Sequence, residues 1–103
     1  MTCSRNDVIL LPIPFADLTS RKVRPAIVVG RKGTDPFVVP VSSVLSNTDF
    51  LLQDWQAAGL NVSSGVKAQL ATVEERLVVK NIGSVSAGDR QSLDERLRTW
   101  LQL

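Results

Sequence analysis

The chain has 103 residues, 44% of them hydrophobic, and a formal net charge of +2. These values predict one globular domain over residues 1–103, and no apolar run approaches the roughly 18 residues of a membrane span. The sequence has no His, which excludes a His-dependent catalytic set, and its single cysteine, Cys3, excludes an internal disulfide. One Cys without His also argues against a zinc site, so we expect no cofactor and no metal. The lack of a cysteine pair makes a reducing, cytoplasmic location the expectation.

The first half of the chain predicts three short strands. They are the stretches DVILLPI, PAIVVG and PFVVPVSS, at residues 7–13, 25–30 and 36–43. We expect residues 15–23 to form an exposed loop, and the turn RKGTD at 31–35 to join the second and third strands as an antiparallel hairpin. Pro25, which has no N–H, favours the first residue of a strand or an edge.

Positive charge is concentrated around the second of these strands. Residues 18–34 contain five basic residues and no acid, whereas residues 36–103 contain six basic and seven acidic residues. The five are Arg21, Lys22, Arg24, Arg31 and Lys32. A local basic patch of this kind fits a polyanionic ligand, and the alternative is a solvated loop without a partner.

The second half predicts shorter elements and a terminal helix. We expect a short strand at 48–55, a loop at 56–65, strands at 66–73 and 78–85, and one helical turn at 74–78. Ser86 and Asp89 have the spacing of a capping box. After them, four apolar residues follow the spacing of one helical face: Leu93, Leu97, Trp100 and Leu101. The pattern indicates a mainly β fold with a C-terminal helix, built as a small barrel of antiparallel strands.

Several stretches, in order, resemble the PemK/MazF-like toxins of type II toxin–antitoxin systems. DVILLPIPFADLTSRKVRPAIVVG resembles the opening strand, loop and Arg-Pro strand of that family, and VVPVSS stands at its second motif. DFLLQDWQAAGL resembles a segment of one PemK-like branch, and VKAQLATVEERLVVKNIGSVS with the last helix matches the end of the family. The resemblance implies an SH3-like barrel, similar to that of CcdB, in a homodimer.

The resemblance also implies an activity and partners. Many members of the family are metal-independent endoribonucleases that cut single-stranded RNA, including mRNA, by attack of a 2′-OH on the adjacent phosphate. A cognate antitoxin blocks their RNA groove. Arg24 matches the motif arginine and Ser42 the motif Thr or Ser, so these two are the catalytic candidates. The candidate RNA-binding residues are Arg21, Lys22, Ser43, Lys67 and Gln69.

These residue types suit phosphate chemistry. An arginine holds two phosphate oxygens in a fork and stays charged at any relevant pH, although it is a poor general base. A serine hydroxyl donates to a phosphate oxygen and accepts from a 2′-OH, although at the end of a strand it can instead bond its own backbone in a turn. Phe15 could stack on a base or close the mouth of the barrel.

The chain departs from the family at three places. Ala68 replaces the Asp of a family Asp-Gln pair, Ala71 replaces a frequent basic residue, and the loop ADLTSRKV replaces one that carries a glutamate in some members. Two alternatives therefore stay open: a non-catalytic SH3-like module that binds RNA or protein, and a CcdB-like inhibitor of a DNA topoisomerase acting through the face ending in RTWLQL.

Overall fold

The computed structural model describes residues 3–12 and 22–103. The described elements are β1 (Asp7–Pro12), β2 (Val23–Lys32), β3 (Asp35–Ser42), a 3₁₀ helix (Leu45–Asn47), β4 (Phe50–Leu51), β5 (Gly65–Val66), β6 (Ala71–Thr72), a second 3₁₀ helix (Glu75–Leu77), β7 (Lys80–Ser84) and α1 (Ala87–Leu101). No helix in these ranges is long and apolar enough to cross a membrane.

The described strands form one antiparallel sheet. Its order is β4-β5-β3-β2-β1-β7, and β6 pairs with the half of β3 that β5 leaves free. The path does not close among the described strands, and its shape is that of a small barrel-like fold. The predicted fold class, mainly β with antiparallel strands and a C-terminal helix, is confirmed, and so is the β2–β3 hairpin.

Each face of the sheet has its own hydrophobic core, because the strands are apolar on both sides. The first core lies under α1 and the loop at 52–60, where Leu93 packs with residues such as Ile27, Val39 and Val41. The second core contains Ile9, Leu11, Ala26, Val28 and Val38. The chain at 73–79 passes from β3 to β1 and covers this second core, since Val73 and Val78 pack against it and the Val79 N–H bonds the Leu10 carbonyl.

The N-terminus of α1 is tied to the loop at 52–60 by a buried carboxylate. Asp89 accepts hydrogen bonds from the backbone N–H groups of Gln53 and Asp54, at 2.9 and 2.8 Å. Its own N–H donates to the Ser86 hydroxyl at 3.3 Å, so Ser86 caps the helix as predicted. The carboxylate does not complete the predicted capping box, because it bonds the loop instead of the helix N-terminus.

Several predicted boundaries are wrong. β2 begins at Val23, so Pro25 lies inside the strand; its missing N–H is tolerated because pairing with β3 starts only at Ala26. Only two residues of the predicted strand at 48–55 pair. The predicted strand at 66–73 is broken into β5 and β6. Leu101, expected on the buried helix face, is 49% exposed.

Candidate functional site

Arg24 lies at the exposed start of β2, opposite Leu11 of β1. Side chains alternate along a strand, so Arg24 is on the face of Ala26 and Val28, which is the face of the second core. No ion pair or side-chain hydrogen bond joins Arg24 to any of the described residues. Within the described residues its five N–H donors are therefore not engaged, and a guanidinium offers such donors to an external anion.

Ser42 lies at the end of β3, opposite Gly65 of β5. Its hydroxyl oxygen accepts a hydrogen bond from the Val44 backbone N–H at 3.0 Å, so the strand-end turn that competed with a functional interpretation is present. The turn does not consume the hydroxyl proton, because Ser42 is the acceptor in this bond. The hydroxyl can still donate to an anion, whereas one of its acceptor positions is occupied.

The register of the sheet places Arg24 and Ser42 at the same end of the β2–β3 ladder. The last pair of this ladder is Ala26 with Pro40, and Arg24 and Ser42 each lie two residues beyond it. Lys67 is on the next strand, where its N–H bonds the Pro40 carbonyl. A strand spacing of about 4.8 Å and a rise of about 3.4 Å per residue put the Cα atoms of Arg24 and Lys67 about 12 Å apart.

Arg24, Ser42 and Lys67 also share one face of the sheet. Val41 and Val66 point into the first core, so the next residues, Ser42 and Lys67, point to the opposite face with Arg24. Arginine and lysine side chains each reach about 6 Å beyond Cα, so both cations and the hydroxyl can approach one bound anion. We call these three residues the anion cluster.

Gln69 lies beside the anion cluster in an irregular segment. Between Lys67, which bonds Pro40, and Ala71, which pairs with Val38, three residues face Val39 alone. This excess explains why the predicted strand breaks. The Gln69 Oε1 atom is buried and has no hydrogen-bond partner among the described residues, while the neighbouring Ala68 is exposed.

The other predicted RNA-binding residues are placed only in part. Lys22 is exposed directly before β2, and Ser43 is exposed directly after β3, so both lie at the same end of the sheet as the anion cluster. Arg21, Phe15 and most of the loop ADLTSRKV lie outside the described residues.

The basic stretch of the sequence is divided by β2. Arg31 and Lys32 lie at the opposite end of the ten-residue strand from Arg24. At about 3.3 Å per residue, Arg24 and Arg31 are about 23 Å apart, so the five basic residues do not form one patch. At the distant end, Lys32 lies opposite Asp35 in the β2–β3 ladder, and the Asp35 carboxylate accepts the Glu75 N–H at 3.2 Å.

Asp49 and Cys3 are ionisable residues outside the anion cluster. Asp49 is paired with Arg96 at 2.6 Å, and Arg96 also lies over the Phe50 ring at 5.4 Å. Burial, with Asp7 and Glu75 adding to it, raises the pKa of the Cys3 thiol, so this cysteine stays protonated and is not a nucleophile at neutral pH. In the described ranges, no three His, Cys, Asp or Glu side chains come together as metal ligands.

A shallow groove of about 400 Å³ lies between β4 and α1. It is lined by Phe50, Leu51, Gln53, Ser92, Glu95 and Arg96. None of the predicted site residues contributes to this groove, and its arginine is already neutralised by Asp49.

Two residues that sequence reasoning missed hold the loop after Ser42. A Cβ added to Gly65 would lie 2.5 Å from the Thr48 hydroxyl oxygen, so Thr48 packs directly on the Gly65 backbone. The Thr48 hydroxyl donates to the Leu45 carbonyl at 2.7 Å. No local pattern reveals this contact, because Thr48 and Gly65 are 17 positions apart and meet only through the pairing of β4 with β5.

A comparison with known protein families assigns the chain to one of them. The model of the family described as PemK-like, MazF-like toxin of type II toxin–antitoxin systems matches residues 4–101, nearly the whole chain. No curated protein matches the chain.

Proposed function

The chain belongs to the PemK-like, MazF-like toxins of type II toxin–antitoxin systems, and from this we propose that it is a metal-independent endoribonuclease that cleaves single-stranded RNA. In this proposal the 2′-OH of one nucleotide attacks the adjacent phosphate, giving a cyclic phosphate and a free 5′-OH. DNA is not a substrate because it lacks the 2′-OH.

The observation that carries the proposal is the anion cluster. Arg24 has no partner among the described residues, and the register brings it to the same end and face of the sheet as Ser42. Such a cation next to a free hydroxyl proton suits a phosphate whose charge grows in the transition state. Arg24 would hold two phosphate oxygens, and Lys67 would add positive charge from the neighbouring strand.

Ser42 acts as a donor and not as a proton acceptor in this scheme. Its oxygen already accepts the Val44 N–H, and an accepted hydrogen bond lowers the basicity of a hydroxyl. The O–H remains to bond a non-bridging phosphate oxygen.

Proton removal from the 2′-OH is the weaker half of the site. At the family's carboxylate position the chain has Ala68, and Asp49 is neutralised by Arg96. We therefore propose that stabilisation of the phosphate supplies most of the rate and that solvent hydroxide removes the proton. The rate should then rise about tenfold per pH unit from pH 6 to 9. A plateau in this range would instead show a base supplied by the protein.

The direct test is digestion of a long RNA of varied sequence by the purified protein in the presence of EDTA. We expect discrete fragments with cyclic phosphate ends from the wild type and from Arg31→Ala, and none from Arg24→Ala. A substrate with a single 2′-deoxynucleotide at a mapped cleavage site should resist cleavage there. Intact RNA with all three proteins would reject the endoribonuclease proposal.

A second candidate function is RNA binding without cleavage, which the exchange of the family carboxylate for Ala68 favours. It predicts a complex that weakens as salt is added, with no fragments at any pH. For the topoisomerase alternative, Leu97 and Trp100 of the terminal helix pack partly against the first core, and Leu101 and Leu103 at its end are exposed.

We further propose a cognate antitoxin, a homodimer and a cytoplasmic location, all carried by family membership. A short acidic or amphipathic protein encoded next to this chain should form a stable complex with it and abolish cleavage. Light scattering on the purified protein should give twice the monomer mass of 11.2 kDa.

A further inference from the structure

We infer that Thr48, packed on the backbone of Gly65, is a positioning residue that fixes the direction of the Ser42 hydroxyl. The inference rests on the proposed function, in which that hydroxyl donates to the phosphate. Neither residue belongs to the anion cluster, and both act through the segment that joins β3 to β4.

The segment from Ser42 to Thr48 is held by successive local hydrogen bonds. The Ser42 oxygen accepts the Val44 N–H at 3.0 Å, and the Val44 carbonyl accepts the Asn47 N–H at 3.0 Å. The Leu45 carbonyl accepts both the N–H and the hydroxyl of Thr48, at 3.1 and 2.7 Å. The orientation of the Ser42 hydroxyl therefore depends on a turn whose far end is held by Thr48.

Thr48, at the far end of this turn, packs on the backbone of Gly65. Gly65 lies opposite Ser42 on β5, and the segment that leaves β3 after Ser42 leads to β4, which pairs with the other side of β5. A Cβ at Gly65 would stand 2.5 Å from the Thr48 Oγ1, 2.7 Å from the Thr48 Cβ and 2.7 Å from the Phe50 carbonyl oxygen. Two of these atoms belong to Thr48, so any side chain at position 65 would displace it.

Displacement of Thr48 has a predictable effect on catalysis. The Leu45 carbonyl loses its second donor, the turn loosens, and the Ser42 hydroxyl no longer has one direction. Arg24 and Lys67 are on other strands and still attract the phosphate. A shift of about 1 Å in a group that acts in the transition state costs up to roughly 100-fold in rate, and here the loss is bounded by that of removing the Ser42 hydroxyl itself. The loss should appear in kcat, with KM little changed.

The experiment compares matched pairs of variants in RNA cleavage. Thr48→Val removes the hydroxyl at nearly constant volume, and Thr48→Ser restores it. Thr99→Val is the control, because Thr99 makes the same kind of bond to the Glu95 carbonyl at 3.1 Å on α1. Gly65→Ala is compared with Gly88→Ala, where an added Cβ meets nothing within 4 Å.

We expect Thr48→Val and Gly65→Ala to lose about tenfold in kcat, no more than removal of the Ser42 hydroxyl itself, Thr48→Ser to lose less than about threefold, and both controls to match the wild type. Thermal unfolding identifies any variant that fails to fold. If Gly65→Ala does not fold, the comparison of Thr48→Val with Thr99→Val alone tests the inference. Equal kcat for Thr48→Val and Thr99→Val would overturn the inference while leaving the endoribonuclease proposal intact.

A second measurement does not need cleavage. The amide resonance of Val44, which reports its bond to the Ser42 oxygen, should move in Thr48→Val and Gly65→Ala but not in Thr99→Val or Gly88→Ala. If the wild type cuts no RNA, the proposed function fails on that result alone. An unmoved Val44 resonance in Thr48→Val would overturn the positioning role by itself.

Discussion

The two ends of β2 carry similar positive charge in different surroundings. At one end, Arg24 has a serine hydroxyl and Lys67 on neighbouring strands. At the other end, Lys32 is opposite Asp35, and Glu75 lies close by. The comparison teaches that an anion site depends on where the neighbouring strands place acids and hydroxyls, and not on the density of basic residues in the sequence.

The largest expected effect comes from removing the guanidinium at each end. Arg24→Ala should lower kcat/KM for RNA cleavage by roughly 10²–10³-fold, the usual cost of one donor that stabilises transition-state charge. Arg31→Ala should change it by less than about twofold, because an arginine at the hairpin end lies about 23 Å away. The two variants are measured on the same RNA at one salt concentration. Equal losses would show that general attraction, and not a specific grip, operates at Arg24.

A gain-of-function variant tests whether the end of β2 at Arg24 lacks a general base. Ala68→Asp restores the family's carboxylate at an exposed position next to Gln69, where the substitution should not disturb packing. We expect cleavage to rise up to about 100-fold and the pH dependence to flatten above pH 6, since a positioned general base contributes 10²–10⁴-fold. Thr34→Asp, exposed in the turn at the other end, is the control and should leave the pH–rate profile unchanged.

The hydroxyl at the Arg24 end has a smaller expected effect. Ser42→Ala removes the donor to the phosphate and the acceptor of the Val44 N–H, so kcat should fall by about tenfold to 100-fold. Ser43→Ala, on the adjacent exposed residue, should fall by less than about threefold. The readout is the ratio of the two kcat values. A larger loss in Ser43→Ala would mean that Ser43, and not Ser42, donates to the phosphate.

Salt dependence separates the two ends without any chemistry. Lys67→Gln should lower the slope of log Kd against log salt for single-stranded RNA by about 0.7, the value for one phosphate contact. Lys32→Gln should leave the slope unchanged, because the opposed Asp35 makes that end a poor phosphate site. Binding is measured by fluorescence anisotropy with an RNA that carries 2′-deoxy substitutions and so is not cut. Equal changes would mean that RNA follows β2 along its whole length.

The smallest expected effect is on stability. Arg24→Ala and Arg31→Ala both remove exposed side chains, so each should change the free energy of unfolding by less than about 0.5 kcal/mol. Urea unfolding measures both. A large loss of stability in Arg24→Ala would mean that the arginine supports the fold. Its role in cleavage would then be tested with Arg24→Lys, which keeps the charge but not the fork.

The candidate residues Arg24 and Ser42 were selected from the sequence because they stand in short motifs that resemble those of the family. The register of β2 and β3 then places both at one end of the sheet, and their role in catalysis stays a prediction. Gln69 was selected in the same way, but the burial of its oxygen, which has no partner among the described residues, was not foreseen, since it depends on the three residues that face Val39. Thr48 was missed because its partner, Gly65, is brought to it only by the sheet.

By itself, the sequence determined the class of fold, the hairpin, the capped terminal helix and the family, because short-range patterns of apolar residues, turns and caps specify local structure. Only the tertiary structure decided which charges lie close together. The length of β2 separated Arg31 from Arg24, and the register of three strands placed Lys67 near Ser42. The physical reason is that strand pairing joins residues far apart in the chain, and its register is set by burying two cores at once.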